Sequence, residues 1–209
     1  AERNLSSVPR LATLVKNLEN EAQLRRIIPD RVISIHDERT GEKVVLQEAN
    51  DDSVEIFSGS LEIPAPHSPV KLKVFQLSKE QTGRANSTSR HGIFVYCERA
   101  GFENSWFGFE NTAGQEWIRA ELELPDALSV QKSGYESETA TGLLIHPDRS
   151  GLNQQHPYFK SALAAITQKI YEILGETATN QRTKSAESKA MRQANQLAAD
   201  VVGKLLKEL

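Results

Sequence analysis

The side chains best suited to metal binding or nucleophilic catalysis are five histidines, His36, His67, His91, His146 and His156, and one cysteine, Cys97. No two of these histidines have a ligand spacing such as HxxxH, and none adjoins Cys97, so the pattern does not point to zinc. Cys97 follows His91 at the end of an apolar run, where a buried, inert thiol is the ordinary case. Glu121 and Glu123 fall on one face of a strand. Paired carboxylates can do acid–base work, but the same spacing makes the wetted side of an amphipathic strand. The hydroxyl- and glycine-rich stretches 83–92 and 137–142 match no phosphate-cradling loop, and no GxxxxGK[ST] occurs. Arg84 and Arg90, with Lys71 and Lys73, could form an anion-binding surface.

Residues 145–159 look least like filler. Asp148 and Arg149 can pair with each other, Gly151 allows backbone geometry closed to other residues, and Asn153 or Gln154 can cap a helix opened by His156-Pro157. The first reading is a connection that docks a helix on a sheet. The second is a ligand surface at Asp148 and Arg149, and a hydrolase-type site would add His156.

The elements that must position these residues follow from the apolar periodicity. Residues 5–28 read as a helix ended by Pro29, with Leu11, Leu14, Val15, Leu18 and Ala22 on its apolar side and Asn17 and Asn20 as places where it can break. From Val32 the period changes to two, and Arg39-Thr40-Gly41-Glu42 turns a hairpin into 43–47. Two short strands are expected at 53–57 and 60–63. A strictly alternating strand follows at 70–77, then a polar, mobile loop at 79–90. The run 93–97 reads as a central strand, with Phe94 buried with Ile93 or Val95 against the helices. Further strands are expected at 106–110, 117–124 and 142–145. In 117–124, Ile118, Ala120, Leu122 and Leu124 face the core. Phe159, Leu163, Ile166, Ile170 and Ile173 are spaced 4, 3, 4, 3 along a helix. A polar interruption at 176–185 precedes a last helix with Ala190, Ala194, Leu197, Val201 and Leu205 on one stripe, expected to fold back as a hairpin or to pair with another chain.

The fold class is therefore α+β: a mostly antiparallel or mixed sheet of five to eight strands, flanked by an N-terminal helix and two long C-terminal helices. A chain of 209 residues fits one sheet domain, 1–154, with a helical extension, 155–209, packed on it. No run approaches the ~18 apolar residues of a spanning helix. The net charge of −3 gives no bulk electrostatic case for nucleic acid. Ala1-Glu2-Arg3-Asn4 opens no basic-then-apolar leader, and with a lone cysteine this points to the cytoplasm. An initial Ala fits either loss of an initiator or a piece of a longer protein.

Gly92-Ile93-Phe94-Val95-Tyr96, the later Trp106-Phe107-Gly108 and then Trp117-Ile118-Arg119-Ala120-Glu121-Leu122-Glu123-Leu124-Pro125 resemble the segment that follows the nucleotide domain in GHKL-type ATPases, the group of gyrase B, histidine kinases and MutL. Asp148-Arg149-Ser150-Gly151-Leu152-Asn153 and His156-Pro157-Tyr158-Phe159 are similar to a segment of ATP-binding proteins with this ATPase domain. The resemblance covers about residues 30–175. The magnesium-binding Glu/Asn helix, the DxGxG loop and the glycine-rich lid of the family's ATPase half do not occur in this sequence. The resemblance implies a transducer-like region with no cofactor of its own, ATP and magnesium belonging to a preceding or partner domain. It also implies that Lys132 reaches back to the terminal phosphate. The expected function is a non-catalytic transducer and assembly domain, with a protein or ATPase-domain partner and homo-oligomerisation through the C-terminal helices. The alternative is a ligand- or peptide-binding module using the sheet edge and the 79–90 loop.

Overall fold

The structure, a computed structural model, describes residues 11–21, 24, 27–47, 53–78, 80, 85, 91–136, 142–147 and 151–208. Among them are seven β-strands and three α-helices, an α+β arrangement with a mixed sheet. Helix α1 spans Leu11–Asn20 and ends where the asparagines interrupt the apolar pattern. Strands β1 (Ser34–His36) and β2 (Lys43–Val45) form the expected hairpin. Its turn is closed by Asp37, whose Oδ1 accepts the Arg39 N–H at 2.9 Å, and by Gly41 at φ 73°. The Arg39 N–H, with that of Thr40 at 3.3 Å from the same oxygen, holds the Asp37 carboxyl below its usual range.

The second sheet has five strands in the order β3-β4-β7-β5-β6. They are β3 (Val54–Leu61), β4 (Val70–Gln76), β5 (Gly92–Cys97), β6 (Ala100–Ser105) and β7 (Ile118–Glu123). Neighbours are antiparallel except β5 and β7, which run parallel. The alternation read in β4 and β7 is obeyed: Val70, Leu72, Val74, Ile118, Ala120 and Leu122 are buried. Register places Leu72 beside Leu122, and Leu122 beside Val95, so one face of the sheet is continuously apolar. Helix α3 (Pro157–Glu208) lays Phe159, Ile166, Ile170 and Ile173 of the expected seam into that core, with Leu163 only partly buried at its edge and Ala162 buried in its stead.

Five expectations need correction. Residues 53–57 and 60–63 form one strand, β3, with an irregularity between Glu55 and Phe57 rather than a break. Residues 106–110 are a turn: Phe107 and Gly108 adopt positive φ, while Trp106, Phe107 and Phe109 remain buried. Their aromatic density suggests a strand, but the real strand is the poorer β former β6 beside it, held by pairing to β5. At 142–145 a single bridge joins Ile145 to Leu152. Helix α2 (Ala127–Glu136) occupies a stretch that offered no clear helical pattern, since Gly134 lies inside it. The C-terminal region is one helix of 52 residues rather than two. Residues 176–185 contain neither Pro nor Gly, and Glu, Gln, Arg and Lys sustain a helix. The Thr179 and Thr183 hydroxyls donate to carbonyls one turn back, at 2.9 and 3.1 Å.

Phe94 is buried, but not against the helices as expected: it lies on the other face of the sheet from Ile93 and Val95. It stacks on Tyr96 with ring centroids 6.0 Å apart, separate from the core under α3. On this second face the Arg119 guanidinium lies 3.9 Å from the Phe75 ring centroid and 2.6 Å from Glu121 Oε1.

Candidate functional site

Among the described residues, a concavity lies where three connections meet: the proline-rich β3–β4 loop, the start of α2 and the start of α3. It is a cleft of about 550 Å³, within the range of small-molecule sites. His67, Asp126, Ser129, Ser133, His156 and Tyr158 supply its polar groups, and Pro66, Val130 and Pro157 its apolar wall.

Each side chain is held by local geometry. The 62–69 loop reverses the chain between two paired strands, with a cis bond at Ala65–Pro66. Ser68 binds Asp126 twice, its N–H donating to Oδ2 at 2.6 Å and its hydroxyl to Oδ1 at 3.1 Å. This double contact fixes the loop to the end of β7 and places His67 Nδ1 3.8 Å from Asp126 Oδ2. The Asp126 N–H donates to the Tyr158 hydroxyl at 3.2 Å, and the His67 ring rests on the Tyr158 ring at 4.6 Å. Residues from three distant segments are thus tied to one another.

Tyr158 and His156 are almost wholly buried. Burial is the main cause that pushes the Tyr158 hydroxyl up to about 12, the nearby Asp126 carboxylate adding to it. His156 Nδ1 accepts the Tyr158 N–H at 3.2 Å, so its hydrogen sits on Nε2. Burial, and then the neighbouring His67, lowers its pKa below 6.5. The imidazole is neutral and caps the first turn of α3.

The Ser129 hydroxyl donates to the Asp126 carbonyl at 2.8 Å and that of Ser133 to the Ser129 carbonyl at 3.0 Å. Both serines therefore offer lone pairs to the cleft, and neither is set up as a nucleophile. At 3.8 Å the His67–Asp126 contact is too long for a hydrogen-bonded proton relay. No group of three or more His, Cys, Asp or Glu able to hold a metal occurs among the described residues.

Of the residues singled out in the sequence for their chemistry, His67 and His156 line this cleft. Lys132 is exposed on α2, one position before Ser133 and outside the lining. Asp148, Arg149, Arg84 and Arg90, and most of the 79–90 loop, lie outside the described residues. Cys97 is buried, with its thiol pushed up by burial and directed at the Pro125 carbonyl, 3.5 Å away. Glu121 pairs with Arg119 and Glu123 with Lys71, on the sheet face away from α3. The site groups that sequence reasoning missed are Asp126 and Tyr158, and with them the place of His67 beside both. The one local signal was a histidine enclosed by prolines, Pro66-His67-Ser68-Pro69, in a loop too constrained to be mere linker.

Comparison with protein-family models gives no match, and comparison with curated proteins gives none either. No helix among the described residues is long and apolar enough to cross a membrane.

Proposed function

We propose that this chain is a non-catalytic transducer and assembly domain of a GHKL-type ATPase, working in the cytoplasm and joining a nucleotide domain to a second copy of itself. The observation that carries the reading is the distal half of α3. Core contact ends at Thr177, and every residue from 182 to 197 is exposed. A helix rising 1.5 Å per residue runs on for roughly 45 Å past that point. Propensity alone does not sustain a polar helix of that length in water.

Its apolar stripe is no continuation of the docked seam. Ala190, Ala194 and Leu197 each follow Ile166, Ile170 and Ile173 by 24 residues, which at 100° per residue leaves them about 120° away around the helix. Leu197 is 67% exposed. The stripe therefore faces something other than the sheet that holds the first half.

Light scattering of the purified chain tests this. The wild type should be a dimer through the micromolar range, and Leu197→Asp with Ala190→Asp should give a folded monomer. A wild type that stays monomeric refutes assembly through this helix. A second reading, peptide capture by strand addition, is favoured by outer strand β3, where Val54 and Ile56 are 65% and 42% exposed. A β-strand peptide that broadens the NMR signals of β3 would support it.

A further inference from the structure

The geometry points to the cleft between the β3–β4 loop, α2 and α3 as a binding site for a neutral, amide-bearing ligand, recognised through its carbonyl and N–H groups. Two nearly buried residues each keep a donor that can face the cleft. His156 is 7% exposed and Tyr158 2%. With His156 Nδ1 committed to the Tyr158 N–H, the remaining hydrogen is on Nε2, and it meets no acceptor among the described residues. The Tyr158 hydroxyl accepts from the Asp126 N–H, and its own hydrogen likewise meets no acceptor there. Raised to about 12, that hydroxyl keeps its hydrogen at neutral pH. Both residues line the cleft, so these hydrogens are open to a ligand seated in it.

The opposite polarity is present on the facing wall. Ser129 and Ser133 are one turn apart on α2 and spend their hydrogens on backbone carbonyls, which leaves their oxygens as acceptors. Donors on one side and acceptors on the other match an amide, which has a carbonyl to receive and an N–H to give. Pro66, Val130 and Pro157 supply apolar surface for the ligand's carbon skeleton.

Charge argues against an anion. The Asp126 carboxylate borders the cleft, no Lys or Arg among the described residues lines it, and His156 is held neutral. A phosphate or free carboxylate would meet a negative group without a compensating fixed cation. The absence of a three-residue ligand cluster among the described residues argues against a metal. This site is distinct from the distal half of α3 and does not depend on the assembly reading.

The test uses the full chain with nitrogen-15 histidine and two probes, N-acetylprolinamide and inorganic phosphate. N-acetylprolinamide should shift the His156 Nε2 resonance saturably, and phosphate should leave it in place. Ser133→Leu, an exposed change at the cleft mouth, should abolish the saturable shift while the melting temperature stays near that of the wild type. A His156 response to phosphate alone, or to neither probe, overturns the proposal. So does an amide response that survives Ser133→Leu unchanged. The comparison of probes on the wild type decides the matter even if that variant folds poorly.

Discussion

Acidification should weaken the fold through His156, and the size of the effect follows from its hydrogen bond. In the folded chain its Nδ1 must stay unprotonated to accept the Tyr158 N–H at 3.2 Å. Protonation would set a donor against that donor, in a buried place, at the positive end of a 52-residue helix, beside His67. The His67 ring, the Asp126 carboxylate and the Tyr158 hydroxyl are the other titratable groups at this cleft. Because the folded pKa lies below 6.5, the unfolded chain takes up the proton first. The contribution is complete above pH 6.5 and is lost as pH falls from there through the folded pKa. The slope can approach ~1.4 kcal/mol per pH unit. With a urea m-value near ~2 kcal/mol/M, a loss of about 1 kcal/mol moves the midpoint by roughly 0.5 M.

The assay is urea unfolding followed by far-UV circular dichroism at pH 7.5 and 5.5, for the wild type and His156→Gln. Glutamine can still accept the Tyr158 N–H but does not titrate, so it should flatten the pH dependence, by at most ~1.4 kcal/mol over this interval. The other histidines are common to both proteins and cancel in the difference. Parallel profiles for the two proteins would refute the cap argument.

Phe94→Ala should cost ~3–4 kcal/mol by chemical denaturation, and a loss under ~1 kcal/mol would mean that the face away from α3 is not packed. Gly151→Ala should destabilise by ~1–3 kcal/mol, because Gly151 has φ 146° and a Cβ there would lie 2.6 Å from Glu103 Oε2; a neutral result would show that the loop relaxes freely. Glu103 accepts the Leu152 N–H at 2.8 Å, and burial raises its pKa above 4.5. Stability from this group is full below pH 4.5 and lost as pH rises through the folded value. Glu103→Gln should therefore improve the melting temperature more at pH 7 than at pH 4, and the opposite order would refute it.

What the sequence makes legible is what local periodicity encodes. Alternation in β4 and β7 and the seam from Phe159 to Ile173 are one-dimensional records of which face meets the core. The same logic misleads at 106–110, where aromatic residues are buried by a turn, and at 176–185, where polarity looks like a break although the helix needs no apolar residue to continue once its core contact has ended. Phe94 shows a third limit. A run buried on both faces has no alternation, so its sequence cannot say that Phe94 and Ile93 belong to different cores.

The cleft is illegible for a further reason. Ser68 reaches Asp126 across 58 positions, and Asp126 reaches Tyr158 across 32. No spacing rule joins them; strand order does. Placing β7 between β4 and β5 brings the β3–β4 loop and the start of α2 to one end of the sheet. There α3 must begin if its Phe159 seam is to run along the apolar face. His156-Pro157-Tyr158 can be read in advance as a helix start. That Tyr158 there takes the Asp126 N–H, and that His156 keeps a hydrogen for the cleft, follow only once the five-stranded order is known.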